Sequence, residues 1–249
     1  MCLIVVGWRV HPDYPLVVAA NRDEFYARPT AAMARWPDVP QVIGGLDLEA
    51  GGTWLGITDI GRFAAVTNVR EPGMTKGLRS RGALTRNFLT TTVAASEYAS
   101  QIDYAQYSGF NLLLSDNDSL VYCSNREDEP RTLAPGVYGL SNQLLDSPWP
   151  KLLQARERFA EALPGLPDES AFFDLLSDQS IVADKNLPST GVPIEWERLL
   201  SAIFVKSETY GTRASTLVWQ DAGGKITVHE NSFGPNGQPL QSSVISTSE

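Results

Sequence analysis

The 249-residue sequence predicts a layered domain of mixed structure, α/β or α+β in class, with two sheets packed face to face and helices outside them. Two observations carry that expectation. Short apolar runs rich in β-branched residues gather in two main blocks, and each block is followed by a stretch with helical spacing. No Pro-, Gly- or Ser-rich linker divides the chain and no internal repeat shows, so residues 1–249 are expected to form one domain.

The elements follow in order. Cys2-Leu-Ile-Val-Val-Gly-Trp8 and Leu16-Val-Val-Ala-Ala20, separated by His11-Pro-Asp-Tyr-Pro15, read as a hairpin that starts at the terminus. Thr53 to Thr58 and Phe63 to Thr67 add strands around the Asp59-Ile-Gly61 turn, and the Gly44-Gly45 and Gly51-Gly52 pairs read as hairpin geometry. Between Gly82 and Tyr107, residues Leu84, Phe88 and Leu89, then Val93, Tyr98 and Ile102, fall at helical spacing. Strands return at Phe110 to Ser115, Leu120 to Ser124 and Val137 to Ser141. Pro150 opens a helix carrying Leu152, Leu153, Phe159, Ala160 and Leu163, ended by Pro164-Gly165. Short helices are expected at Ala171 to Leu176 and Trp196 to Phe204. Ser215 to Gln220 and Lys225 to His229 form a last hairpin around Asp221-Ala-Gly-Gly224, and the polar tail from Gly234 is expected to be loose.

Composition narrows the function classes. The formal net charge of −9 repels a phosphate backbone, and Lys76, Arg79 and Arg81 read as a solvated loop rather than a nucleic-acid footprint. No apolar run approaches the roughly 20 residues of a membrane helix, and no charged start precedes a signal-like core, so a cytoplasmic protein without a membrane span is expected. In that compartment the two cysteines, Cys2 and Cys123, are not expected to pair. With only His11 and His229, and no Cys-x-x-Cys or His-Glu-x-x-His, neither a serine triad nor a metal site is indicated, and each histidine reads as a surface residue. Neither a Walker nor a Rossmann glycine pattern occurs, so no cofactor is expected.

Cys2 follows the initiator methionine, and its small side chain is of the kind that permits removal of Met1. One residue would then hold a thiol nucleophile and an α-amine base, whose ordinary pKa is about 7.7 to 8.0. It would equally serve as a small buried residue opening a strand. Asn21-Arg-Asp-Glu24 ends the second strand and would return beside Cys2, where Asp23 could hold the ammonium and Arg22 could lower the thiol pKa; the same residues also fit an exposed charged turn. Trp54, Trp149 and Trp196 fit either an acyl pocket or ordinary core.

Taken together, Met1-Cys2, Asn21-Arg-Asp-Glu24, Gly51-Gly-Thr-Trp-Leu-Gly56, Thr67-Asn-Val-Arg70, Ser80-Arg-Gly82, Tyr138-Gly-Leu-Ser-Asn142 and Tyr210-Gly-Thr-Arg213 resemble the NRDE, or transport-and-Golgi-organisation, family over nearly the whole chain. The resemblance implies an α+β, four-layer αββα sandwich of the N-terminal-nucleophile hydrolase type. The blocks are more remotely similar to the penicillin V acylase and bile-salt hydrolase group. That similarity implies Cys2 as nucleophile, Asp23 as the aspartate orienting the amine, Asn142 as the asparagine polarising the scissile carbonyl and Asn68 as the oxyanion-hole asparagine. Arg22 and Arg213 stand for that group's arginines, Arg22 shifted in position and Arg213 outside a matching motif. The implied activity is an amidohydrolase or acyltransferase acting through a thioester on a small acylated compound. The competing implication is a non-catalytic carrier of acyl-coenzyme A, lipid or a haem-like ligand on the same fold. Substrate identity, removal of Met1 and oligomeric state stay open at this stage.

Overall fold

The computed structural model describes residues 2–74 and 77–247. Its first sheet has six antiparallel strands. Inside it lie β1 (Cys2–Trp8) and β2 (Leu16–Phe25), with Cys2 opposite Arg22 and Leu3 opposite Asn21. The second sheet begins with β3 (Thr30–Arg35), β4 (Val42–Asp47), β5 (Leu55–Thr58) and β6 (Phe63–Asn68). Helices α1 (Gly82–Leu89) and α2 (Ala95–Ser100) follow, then β7 (Phe110–Ser115), β8 (Leu120–Ser124) and β9 (Arg131–Leu133) complete seven strands in the order β3-β4-β5-β6-β7-β8-β9.

The chain then returns to the first sheet through β10 (Gly136–Leu140), which pairs with β1. Helices α3 (Pro150–Ala162), α4 (Ser170–Leu176) and α5 (Ile194–Leu199) precede β11 (Tyr210–Gln220), β12 (Ile226–Phe233) and β13 (Pro239–Ser246), giving the order β10-β1-β2-β11-β12-β13.

Side-chain alternation explains why β1 and β2 are apolar on both faces. Ile4, Val6, Trp8, Leu16, Val18 and Ala20 point to the second sheet and join Ile43, Leu55, Phe63 and Leu113 in the central core. Leu3, Val5, Val17 and Ala19 point outward and pack against Leu152, Phe159, Phe172 and Leu175 of α3 and α4. On the far side Phe88, Ala95 and Ala99 of α1 and α2 cover Val66, Leu112 and Val121. The layers therefore run helix, sheet, sheet, helix: the αββα sandwich that the resemblance implied. Each fully buried Phe or Leu contributes about 1.5–3 kcal/mol relative to exposure, so three such cores hold the layers in register.

Several local expectations change. The segment expected to be loose from Gly234 instead supplies β13, paired with β12 from Thr227↔Ser246 to Phe233↔Pro239. Its polarity reflects an edge strand whose side chains are largely exposed, with Ile245 packed on the central core. Gly44 and Gly45 lie inside β4 rather than in a turn. Strands β3, β4 and β9 carried no clear sequence signal, because alanine, glycine and arginine interrupt their alternation. The last short helix begins at Ile194 and stops at Leu199, five residues before Phe204.

Candidate functional site

Cys2 stands at one end of the seam between the two sheets, where five chain segments meet. The first two are β1 and β2, whose pairing sets Arg22 directly across from Cys2 on the same face. Within Asn21-Arg-Asp-Glu24 the strand alternation divides the labour. Asn21 faces the helices and is wholly structural: its Nδ2 donates to the carbonyls of Leu176 (2.8 Å) and Ile203 (2.9 Å), and its Oδ1 accepts from Ser215 Oγ at 2.7 Å. Arg22 faces the intersheet seam. Asp23 faces the helix layer again, its Oδ1 accepting from Thr212 Oγ1 at 2.7 Å, while Tyr210 Oη donates to the Asp23 carbonyl at 3.2 Å.

The third segment follows β10. Ser141 Oγ donates to the Cys2 carbonyl at 2.9 Å, and Asn142 Oδ1 accepts from the Cys2 backbone nitrogen at 3.4 Å. The fourth is the end of β6, tied to the third by Thr67 Oγ1 donating to the Ser141 carbonyl (2.6 Å) and Arg70 N–H donating to the Asn142 carbonyl (2.8 Å). Asn142 Nδ2 donates to both Oδ1 (2.9 Å) and the carbonyl (3.0 Å) of Asn68, so its donors are spent orienting Asn68. Among the described residues the one bond from Asn68 Nδ2 is to the Val69 carbonyl, at 3.3 Å, and Asn68 lines the cavity beside Cys2.

The fifth segment, Ser80-Arg81-Gly82, is placed by glycine. A Cβ on Gly52 would stand 2.4 Å from the carbonyl carbon of Gly82, so Gly52 must be glycine for the β4–β5 connection to touch the start of α1, and a Cβ on Gly82 would press on Thr53 at 3.2 Å. Thr53 N–H donates to the Gly82 carbonyl at 3.3 Å, and Thr85 Oγ1 donates to the Thr53 carbonyl. That contact carries Arg81 to the cavity wall. The sequence reading of Arg81 as part of a solvated loop is therefore corrected: it lines the cavity and donates Nη1 to the Gly109 carbonyl at 3.1 Å. Arg79 is exposed, as that reading expected, and Lys76 lies outside the described residues.

The resulting cavity, about 170 Å³, is bounded by Cys2, Arg22, Asp23, Trp54, Asn68 and Arg81 among others. An apolar cleft of about 360 Å³ adjoins it, lined by Phe25, Val69, Met74, Trp196, Leu200 and Tyr210, and the two share Asn68 and Arg81 as walls. Of the three tryptophans, Trp54 borders the first space and Trp196 the second, while Trp149 lies against the Arg70 guanidinium, 4.7 Å from its ring centre. The buried Arg70–Glu197 ion pair at 2.7 Å, with Thr190 donating to the same carboxylate, fixes α5 against the end of β6.

Arg213 is not among the residues bounding this cavity. It sits at the β11 bulge between Thr212 and Ala214, and its guanidinium donates to the carbonyls of Phe25 and Arg28, closing the β2–β3 turn. Sequence reading also passed over Lys151. This α3 residue is buried to 4% exposure, with Nζ donating to the Leu200 carbonyl at 2.8 Å. Its only signal was a lysine one residue after a helix-opening proline, which ordinarily marks a solvated turn.

Electrostatics at the site oppose each other. Burial pushes the Cys2 thiol up, and the Asp23 carboxylate adds to that; the Arg22 charge and the Asp23 backbone N–H pull it down. Burial also raises Asp23, against the lowering charges of Lys151 and Arg22 and the Thr212 hydrogen bond. Lys151 is brought down to about 8 by burial, opposed by the attraction of Asp23.

The histidines lie away from this site. His11 Nδ1 accepts from Asp13 N–H at 3.2 Å in an exposed turn. His229 is less exposed than its sequence context suggests: it contacts the Glu169 carboxylate, lies 2.9 Å from Ser242 Oγ and packs edge-on against Phe173. Among the described residues no cluster of three His, Cys, Asp or Glu side chains could hold a metal, and no helix is long and apolar enough to cross a membrane.

Comparison with known proteins agrees with this architecture. Two solved structures share the fold at a TM-score of 0.54. One is a Caenorhabditis elegans ortholog of N-acylethanolamine-hydrolyzing acid amidase (16% identical, covering 87% of this chain and 92% of that one). The other is a C2A mutant of the conjugated bile acid hydrolase from Clostridium perfringens (10% identical, covering 99% and 92%). In sequence the chain is 38% identical to the Bos taurus transport and Golgi organization protein 2 homolog over 94% of this chain and 93% of that protein. It is 36% identical to the Homo sapiens homolog over the same shares, and 28% to the Drosophila melanogaster protein over 96% and 95%. The family model described as Transport and Golgi organisation 2 matches residues 1–235, and the chain belongs to that family.

Proposed function

We propose that this protein is a cysteine N-terminal-nucleophile amidohydrolase or acyltransferase that forms a thioester with a small acylated compound. The observation that carries the reading is the convergence of Cys2, Asp23, Asn68 and Asn142 where β1, β2, β6 and β10 end together. Hydrolytic removal of Met1 frees the Cys2 amine. The neutral amine takes the Sγ proton, and the thiolate attacks the substrate carbonyl carbon. The carbonyl π electrons move to oxygen, where Asn68 Nδ2 donates to the developing oxyanion; the worth of one such donor is about 2.7–4 kcal/mol. Collapse breaks the C–N bond, the Cys2 ammonium protonates the leaving amine, and a thioester remains. Water, deprotonated by the same amine, then releases the acid; a second amine in place of water would complete acyl transfer.

In this reading Asp23 holds the ammonium and Arg22 stabilises the thiolate. Asn142 aligns both the Cys2 nitrogen and Asn68. Arg213 contributes through the β2–β3 turn that supports Asp23. A second reading, a carrier for acyl-coenzyme A, lipid or a haem-like ligand, draws support from the apolar cleft beside Asn68 and from the encoded Met1, whose retention leaves the Cys2 nitrogen an amide. Intact mass before and after a thiol-directed acylating probe, on wild type and Cys2→Ala, separates the two. Loss of Met1 with one adduct confined to Cys2 supports the enzyme; retained Met1 and no adduct supports the carrier.

A further inference from the structure

The charge around Cys2 is unevenly matched. Arg22 is only 6% exposed, lines the cavity, and among the described residues its Nη1 meets no hydrogen-bond acceptor. Leaving a buried charged donor unsatisfied costs more than leaving a neutral one so, and the position is one that a ligand oxygen would relieve. Arg81, which lines the same cavity, has one backbone carbonyl as its hydrogen-bonded partner and makes no ion pair with a carboxylate among the described residues.

Among the described residues no acid of the cavity forms an ion pair with either arginine. Asp47 is paired with Arg28 at 2.8 Å, Glu24 Oε1 accepts from the Phe25 N–H at 2.8 Å, and Asp23 faces Thr212 and the helix layer. Two arginines thus line one small space without a carboxylate partner among the described residues, a pairing suited to carboxylate or phosphate oxygens. Beyond Asn68 and Arg81 the lining turns mainly apolar, with Phe25, Val69, Met74, Trp196 and Leu200, and its charged members Arg70 and Glu71 are paired with Glu197 and Arg126.

Building on the proposed amidase chemistry, we infer that the substrate is an anionic N-acyl compound. Its compact oxyanion, carried on the amine side of the scissile amide, sits between Arg22 and Arg81, and its acyl chain lies in the apolar cleft beyond Asn68. The carbonyl then falls at Asn68, the one residue besides Arg81 common to both spaces. A charge on the leaving amine also explains why a polar pocket lies on the Cys2 side while the chain pocket is apolar.

The test is calorimetric binding to Cys2→Ala protein, which separates recognition from turnover. Three probes share one chain: N-octanoylglycine, N-octanoyl-O-phosphoethanolamine and neutral N-octanoylglycinamide. At least one anionic probe is expected to bind tenfold or more tightly than the neutral one; which of the two leads tells carboxylate from phosphate. Adding Arg81→Met should reduce that preference to about unity, Arg81→Lys should keep part of it, and Arg22→Met, checked for folding by its melting curve, should lower it as well. Equal binding of all three probes, no binding of any at millimolar concentration, or a preference untouched by Arg81→Met and Arg22→Met overturns the inference. Turnover by wild type is scored separately: equal hydrolysis of the glycinamide and glycine probes defeats the inference and leaves the amidase reading standing. Charge preference with an inert, acylation-resistant Cys2 does the reverse.

Discussion

Cys2 and Cys123 are both buried free thiols on strands, 8% and 1% exposed, and burial raises the pKa of both. What surrounds them differs. Cys123, on β8, is pushed up to about 12 and packs in the apolar layer under α1 and α2 with Val66, Leu112 and Tyr107. Cys2 has Arg22 across from it, the Asp23 backbone N–H against its sulfur and an open cavity on its free side. Burial alone makes a thiol inert. Reactivity needs a nearby cation or donor that stabilises the thiolate, together with a path for the electrophile. The two cysteines of this chain provide that contrast within one fold.

The largest break in the comparison is Cys2→Ala. Acylation and any turnover should fall at least about 10³-fold, since the proposed nucleophile is gone, while the melting temperature stays close to wild type. Asp23→Asn comes next. It keeps the side chain's size and a bond to Thr212 but removes the charge proposed to hold the amine, and a loss of about 10²–10⁴-fold in acylation rate is expected, the range for a misplaced proton-transfer group. Stopped-flow labelling across pH checks this, and an unchanged rate would mean that Asp23 serves only the β2–β11 pairing.

How much of this was legible in sequence depends on which force places each residue. The β1–β2 hairpin was readable because its strands are apolar on both faces and bounded by a Pro-rich turn, and with it came Cys2 beside Arg22 and Asp23. The chain positions of Asn68 and Asn142 were legible only through family resemblance, because one asparagine at a strand end looks like any turn residue. That Asn142 spends its donors on Asn68 is a matter of side-chain geometry that no spacing encodes. Arg81 was misread because its neighbours are glycine and serine, whose loop character is local, whereas its burial comes from the Gly52–Gly82 contact thirty residues apart in sequence. Strand β13 was hidden for the opposite reason: an edge strand needs backbone pairing more than apolar side chains.

Lys151 sharpens the comparison by a smaller amount, because it acts on the Cys2 region chiefly through the charge of Asp23. Its pKa is about 8 in the folded protein against 10.5 ordinarily, so between those values the unfolded chain binds the extra proton. The sign follows from linkage: stability attributable to Lys151 rises as pH goes from about 8 to 10.5 and is lost below that window. Wild type should therefore gain stability relative to Lys151→Met across this range, by an amount on the order of 1–3 kcal/mol. Urea titrations of both proteins at pH 7.5, 9 and 10.5 measure it, and parallel pH profiles would show that the lysine titrates as it does in water.

The smallest effect is expected at Cys123, where the comparison predicts a cost to the fold and none to reactivity. Replacing it with alanine removes one sulfur from a packed layer of Val66, Leu112, Val121 and Phe88. The lost transfer energy and the small void together amount to about 1–2 kcal/mol, read as a drop of a few degrees in melting temperature for a domain of this length. Labelling separates the two thiols independently of stability. Native wild type should take up one thiol-directed label, at Cys2, and urea-denatured protein two; native Cys123→Ala should still take up one, at an unchanged rate. Rapid labelling of Cys123 in the native protein would remove the contrast, because access would then not depend on the cavity that only Cys2 adjoins.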